Sequence, residues 1–428
     1  MSGLPPQPTA AGASPQDATL EASGLVSLLA PAEPVPPVVQ DEGRLAMAAA
    51  ALAGGTGPLA IDAERASGYR YGQRAYLVQL RRQGAGTWLV DPITCPDLGP
   101  VAEAVAGVEW VLHAATQDLP CLAEVGLRPS SLFDTELGAR LVGLPRVGLS
   151  AVAEHYLGLS LAKEHSAVDW STRPLPEPWL RYAALDVELL VPLRNAIEAD
   201  LREAGKLDWA RQEFDALLGF TGPPSRTDPW RRTSGMHRVT GRRGAALVRE
   251  LWLARDRLAA ERDQAPGRVL PDSALVELAL TAPRRYADLP QRGIGSRLVK
   301  RYARHWLAAV DEAMRLPERD LPVLTSRPEG PPPPRSWAER DPAAATRLAT
   351  ARALLAGIAT RRSVPVEHLV APELVRRLAW QPLADTSVDS IAGFLAAAGA
   401  RPWQVQLTAP LLAQALAEPP AAGVVTDQ

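Results

Sequence analysis

Apolar and polar positions in the first half of the chain alternate in short runs that predict strands. PLAIDAE, RAYLVQLRR and TWLVDP each read as extended segments, and the Gly84-Ala85-Gly86 turn joins the second and third as a hairpin. EWVLHA predicts a further strand and SLFDT a short one, separated by helical spacing. Ahead of them a helix is expected from Asp41 to the Gly54-Gly55 pair, where glycine ends it. Helical periodicity dominates from Glu136 onward. A mixed sheet flanked by helices over residues 41–220 is the α/β pattern.

The remaining chain divides by composition. Residues 1–40 are rich in Pro, Ala and Ser and read as a disordered tail. Residues 221–243 form a basic linker in which Arg226, Arg231, Arg232, Arg238, Arg242 and Arg243 face one acid, Asp228. An all-helical block at 244–317, a Pro-rich spacer at 318–337, a second helical block at 338–418 and a loose tail at 419–428 follow. The two blocks look like copies: LARDRLAAERDQAPGRVLPDSALVELALTAP against TARALLAGIATRRSVPVEHLVAPELVRRLAW. Each is a helix, an Arg-bearing turn, a short Val/Pro stretch and another apolar helix.

At 428 residues, with 46% hydrophobic and 22% charged positions, two or three soluble domains are expected. Net charge is −2, so affinity for nucleic acid must come from local patches. All basic residues but Lys163, Lys206 and Lys300 are arginine. Cys95 and Cys121 make neither a disulfide framework nor a metal-site spacing. The first basic residue is Arg44, and the apolar stretch 24–39 is broken by prolines. A cytoplasmic protein with no membrane partner is expected, as a monomer.

The candidate chemistry lies in five residues. Asp62 and Glu64 sit two apart in a strand, so their carboxylates leave the same face. Tyr182 and Asp186 sit four apart on a helix and are neighbours. Asp118 opens a third segment, where an apolar strand runs into a helix start; alone it also suits a helix N-terminus. Carboxylates converging from separate elements make a hard-oxygen site for Mg²⁺ or Mn²⁺. Two such ions can activate water and stabilise a departing oxygen in phosphodiester hydrolysis. Asp62 is then the bridging ligand, Glu64 and Asp186 complete one metal, Asp118 serves the second, and Tyr182 orients the water.

At these residues the chain resembles the ribonuclease D family of DEDDy 3′→5′ exonucleases. IDAE is similar to its first motif, LHAATQDLPCL to its second and YAALDVELL to its third, with LFDTELGARLVG and LGLSLAKEHSAVDWSTRPLPEPWLRYAALD between. Ala63 departs from the Thr that many relatives carry; its side chain is expected to point away from the metals. VLPDSALVELA and LPQRGIGSRLVKRYARHWLAAV resemble the HRDC domain. The resemblance implies a ribonuclease H-like exonuclease domain followed by two all-α HRDC-type domains. It implies two divalent metals, RNA as partner, tRNA precursors and other structured RNA 3′ ends as substrates, and nucleoside 5′-monophosphates as products. Single-stranded DNA is the alternative substrate, because proofreading and Werner-type exonucleases carry the same five residues. A decayed, non-catalytic adaptor would have lost ligands, and all five residues are present.

Expected nucleic-acid contacts are more diffuse. Arg292, Arg297, Lys300 and Arg301 belong to a basic cluster around Gly293-Ile294-Gly295, which reads as a phosphate-binding turn or as a solvated basic face. Lys163 and Arg173 precede the third motif as candidate phosphate contacts, and Trp170 either stacks a base or anchors packing. By resemblance, Gln73 and Arg74 approach the terminal nucleotide. His113, at a strand end beside the second motif, reads as a satisfied buried histidine rather than a base.

Overall fold

The alternating runs do form strands. The computed structural model describes residues 18–20, 25–28, 30–161, 167–289, 296–324 and 330–417. The strands are β1 (Ala18–Leu20), β2 (Val26–Leu28), β3 (Thr56–Arg65), β4 (Ala75–Gln83), β5 (Gly86–Val90), β6 (Trp110–Leu112), β7 (Leu132–Asp134) and β8 (Leu159–Leu161). Among them run α1 (Glu42–Gly54), α2 (Gly99–Ala104), α3 (Leu119–Glu124), α4 (Thr135–Val142) and α5 (Leu149–Leu157); α6 (Glu177–Glu203) and α7 (Leu207–Leu217) follow. The main sheet has the order β5-β4-β3-β6-β7. β3 pairs antiparallel with β4 and parallel with β6, which makes the sheet mixed.

The two-residue period of β3 divides its side chains between two layers. Ile61 and Ala63 enter the large core with Val78 and Leu80. Ala60 faces the other way, against Val187 and Leu190 of α6. Asp62 and Glu64 share that second face, so the 27-residue α6 covers the strand that carries the acids. Helix α1 begins where Asp41 accepts a hydrogen bond from the Arg44 N–H at 2.9 Å, and it buries Leu45, Ala48, Ala49 and Leu52.

The stretch expected as a disordered tail is in part built into the fold. β1 pairs with β2, and β2 pairs in parallel with β8. Val39 then bridges to Val90, with its N–H 2.8 Å from the Leu89 carbonyl. Edge strands carry unpaired N–H and C=O groups, and this Pro-rich segment satisfies some of them although its composition gives no strand signal. Residues 1–17 and the expected tail at 419–428 lie outside the described residues.

The two helical blocks repeat one pattern. The first comprises α8 (Gly241–Glu261), α9 (Pro266–Val269), α10 (Asp272–Thr281), α11 (Ser296–Arg301) and α12 (Ala303–Arg315). The second comprises α13 (Trp337–Arg340), α14 (Pro342–Arg362), α15 (Val366–Leu369), α16 (Pro372–Trp380), α17 (Val388–Ala397) and α18 (Pro402–Ala417). A 21-residue helix, a four-residue turn of helix and a third helix recur in the same order. The segment expected as a basic linker is partly absorbed into the first block. Trp230 is buried there, and Arg243 donates to the Ala313 and Leu316 carbonyls at 2.9 and 2.7 Å.

The blocks attach to the α/β domain by different physics. Trp403 of α18 stacks on Trp209 of α7 at 4.8 Å and donates its indole N–H to Glu213 at 2.9 Å. Ala359, Val364, Leu369 and Trp403 all belong to the same buried core as β3 and β6. Buried Lys206 donates to the Leu141 carbonyl at 2.7 Å and the Ser363 carbonyl at 3.3 Å, tying the end of α4 to the second block. The first block instead docks through polar contacts on the loop after β3. The Ala265 N–H meets the Tyr69 carbonyl at 3.0 Å, Arg268 donates to the Gly68 carbonyl at 2.7 Å, and Tyr71 donates to Asp256 at 3.1 Å.

Trp403→Ala removes a buried aromatic shared by two domains and is expected to lower stability by about 3–5 kcal/mol, read as a shift of the urea midpoint. A shift indistinguishable from zero would show that the second block contributes nothing to the α/β core.

Candidate active site

Three elements deliver the acids. Asp62 and Glu64 come from β3 and Asp186 from the middle of α6, and carboxylate oxygens of the three lie within 4.8 Å of one another. Tyr182, one turn earlier on α6, donates its hydroxyl to Asp186. Asp118 closes the group from the turn between β6 and α3. It is 4% exposed and lies beside Asp62. Its side chain makes no cap bond to α3, so the helix-start role does not occupy it.

The turn that presents Asp118 is held in an unusual conformation. Ala114 adopts φ 61°, in the left-handed region that costs a non-glycine residue energy. The Asp134 carboxylate stabilises it by accepting from the Ala114 and Ala115 N–H groups at 3.1 and 2.8 Å. The same carboxylate accepts from Glu136 and Leu137 at 2.9 and 3.2 Å, and so caps α4. One buried acid therefore ties the second motif to a neighbouring helix. Arg65 supports the turn from β3, donating to the Gln117 carbonyl at 2.6 Å and lying 3.7 Å from Asp118.

Crowding and burial set the protonation of the cluster. Burial pushes Glu64 well above the usual carboxylate range, and the neighbouring Asp62, Asp186 and Asp118 add to it. Burial likewise raises Asp118 and Asp186 strongly, with Asp62 the next cause for each. Asp62 is raised by burial, against the lowering effects of the Ala63 N–H, Asp118 and Arg65. The Tyr182 phenol is raised by burial and by Asp186, so it stays protonated at neutral pH. His113 is lowered by burial to about 4. Its Nδ1 lies 2.9 Å from Thr135 Oγ1, whose proton goes to the Leu112 carbonyl, so His113 is a satisfied neutral imidazole.

An all-carboxylate donor set fits a hard divalent cation. Two oxygens on one Mg²⁺ are at most ~4.2 Å apart, and the three oxygens, within 4.8 Å of one another, are close to that spacing. Asp62, Glu64 and Asp186 would hold one ion, and Asp118 extends the set on the Asp62 side.

The nucleic-acid candidates fare unevenly. Trp170 is fully buried, 5.5 Å from Trp179 and packed with Leu77 and Ala183, so it anchors the fold and offers no stacking face. Arg173 is likewise spent on structure: it donates twice to Asp91, at 2.7 and 2.8 Å, and to the Trp170, Thr172 and Tyr76 carbonyls. Asp91 has no solvent exposure, and a carboxylate so buried demands that charge. Gln73 is exposed and accepts from Ser67 at 2.9 Å. Arg74 is half-exposed, 3.5 Å from Asp263 of the first helical block. Arg297 and Arg301 are exposed on α11 with Lys300 beside them, and none makes an ion pair among the described residues. Lys163 and Arg292 lie outside the described residues.

Comparison with known proteins follows the same divisions. A 3′–5′ exonuclease profile matches residues 36–202, an HRDC domain profile 244–310 and a 3′ to 5′ exonuclease C-terminal domain profile 330–416. The chain is 32% identical over 309 residues to ribonuclease D of Granulibacter bethesdensis, covering 70% of this chain and 74% of that one. The chain belongs to the ribonuclease D family. Ribonuclease D of Gluconacetobacter diazotrophicus is 31% identical over 335 residues, covering 76% of this chain and 82% of the relative. A crystal structure of a protein from Bifidobacterium adolescentis superposes with TM-score 0.82 at 39% identity over 91% of this chain and 99% of that one. Escherichia coli RNase D shares the fold at TM-score 0.65 and 24% identity, covering 89% and 98%. As a ribonuclease D, the protein is a hydrolytic 3′→5′ exoribonuclease, and its exonuclease fold implies dependence on a divalent metal. No described helix is long and apolar enough to cross a membrane.

Arg65, Gln79 and Asp134 were not singled out from sequence. Asp134 had a signal, since an Asp before Thr-Glu-Leu marks a helix N-cap. Gln79 stands out as a polar residue within an apolar strand, and Arg65 had no signal beyond its place after Glu64.

The raised carboxylates predict a pH dependence. Between the unfolded and the raised folded values the native state holds more protons than the unfolded one, so stability without metal falls as pH rises through that window. In EDTA, Glu64→Gln is expected to melt above wild type near about pH 8, with the gap closing towards about pH 4. A gap that does not change with pH would contradict this electrostatic account.

Proposed function

We propose that this ribonuclease D trims the 3′ ends of tRNA precursors and other structured RNAs, using two divalent metals held by Asp62, Glu64, Asp118 and Asp186. The observation that carries the reading is the convergence of carboxylates from β3, α6 and the β6–α3 turn on a half-buried face. Mg²⁺ or Mn²⁺ bound there supplies Lewis acidity and a more acidic water.

The chain's own residues supply position. Asp62 neighbours Asp118 as well as Glu64 and Asp186, so it would be the ligand common to both ions. Tyr182 keeps its proton and donates a hydrogen bond to Asp186, which leaves its oxygen lone pairs to accept a hydrogen bond from the attacking water. The water oxygen bonds to the terminal phosphorus, the P–O3′ bond breaks, and the shortened RNA takes a proton at its new 3′-hydroxyl. A nucleoside 5′-monophosphate leaves. Gln73 and Arg74, exposed on the loop after β3, would contact the terminal nucleotide. Exposed Arg297 and Arg301, with Lys300, give the first helical block a surface for the RNA backbone.

The test uses 5′-labelled tRNA precursor and matched single-stranded DNA with Mg²⁺, Mn²⁺ or EDTA. A metal-dependent ladder shortening from the RNA 3′ end is expected, with DNA a poor substrate; equal DNA trimming would move the function to DNA. Loss of several kcal/mol of charge stabilisation corresponds to a fall of about 10³-fold or more. Asp62→Asn and Asp186→Asn are each expected to show it with RNA affinity in EDTA retained, and wild-type turnover in either would remove the assignment. Tyr182→Phe is expected to lose about 10²-fold in kcat with little change in KM, and an unchanged kcat would free Tyr182 from the chemistry.

A further inference from the structure

Gln79 sits on β4 directly across the antiparallel ladder from Asp62. Cross-strand partners share a face, so its side chain lies on the acid-bearing side of the sheet, in register with Leu89 of β5. It has no solvent exposure. Its Nε2 lies 3.5 Å from Glu64 Oε1. Its Oε1, sealed from solvent, has no hydrogen-bond partner among the described residues.

The amide orientation follows from chemistry, because reversing it would set the amide oxygen against a carboxylate oxygen. A buried amide oxygen without a donor is costly where an apolar side chain of the same length would fit at no such cost. A neutral amide also supports Glu64 without adding another negative charge to a crowded cluster. We propose that Gln79 is a positioning residue for the cation site. Its N–H fixes the Glu64 carboxylate towards Asp62 and Asp186, and its orphan oxygen accepts a hydrogen bond from a water that enters with the cation. Mg²⁺ commonly keeps several waters, which are donors of the kind this oxygen lacks among the described residues. The inference rests on the metal-site reading of the acid cluster.

The test compares wild type with Gln79→Met, which keeps length and loses both polar atoms, and with Gln79→Leu as a second apolar variant. Mn²⁺ binding is measured by titration calorimetry, the melting temperature in EDTA, and kcat and KM on RNA across Mn²⁺ concentration. Orienting partners of metal ligands commonly govern affinity by 10–100-fold. Expected is Mn²⁺ binding weaker by about that factor, an unchanged or raised melting temperature in EDTA, an unchanged KM for RNA, and activity restored by excess Mn²⁺. Mn²⁺ affinity within roughly twofold of wild type in either folded variant would overturn the proposal. So would a fall in melting temperature in EDTA that accounts for the lost affinity, the mark of a packing role. Wild type that itself fails to bind Mn²⁺ would overturn the metal reading beneath it, a result distinct from the other two.

Discussion

Carboxylates packed within 4.8 Å of one another on a covered sheet face repel strongly when all are charged, and a cation offsets that repulsion. At an effective dielectric of ~20, each charged pair within that distance costs at least about 3 kcal/mol. The surrounding structure sustains this arrangement. Arg65 offsets part of the charge beside Asp118, the Tyr182 proton steadies Asp186, and the remaining strain is taken up as raised carboxyl pKa values. A divalent ion converts the same crowding into binding energy. Repulsion in its absence and affinity in its presence are one property of the cluster.

Holding the acids together requires the three elements to keep their relative register. Helix α6 is fixed by apolar residues on the same turns that carry Asp186, with Ala183, Val187 and Leu190 seated against β3, β4 and β6. The β6–α3 turn is fixed by Asp134, which offsets the cost of the left-handed Ala114 with two backbone hydrogen bonds. The helical blocks extend this logic. The second block shares the α/β core through Trp403, whereas the first grips the polar loop that leads away from Glu64.

What could be read from the sequence followed local periodicity. The two-residue period of IDAE and the four-residue spacing of Tyr182 and Asp186 are properties of single elements, and both hold in three dimensions. The outward side of Ala63 was legible for the same reason, and that side chain lies in the opposite core. The packing role of Trp170 was one of the two readings its sequence offered, and Trp179 decides it; that of Arg173 was not legible, because it depends on Asp91, a distant partner that no local pattern announces. The strands within residues 18–28 were hidden because they exist only where β8 offers an edge. Gln79 needed register: only the hairpin pairing places it opposite Asp62.

The central proposal is that this acid cluster binds two metal ions with Asp62 a ligand to both. The most direct measurement is anomalous diffraction from crystals of the protein with Mn²⁺ and a 3′-terminal RNA dinucleotide. Two peaks about 3.5–4 Å apart are expected, one by Glu64 and Asp186 and one by Asp118, with Asp62 shared. A single peak, or peaks away from Asp62, would contradict the account.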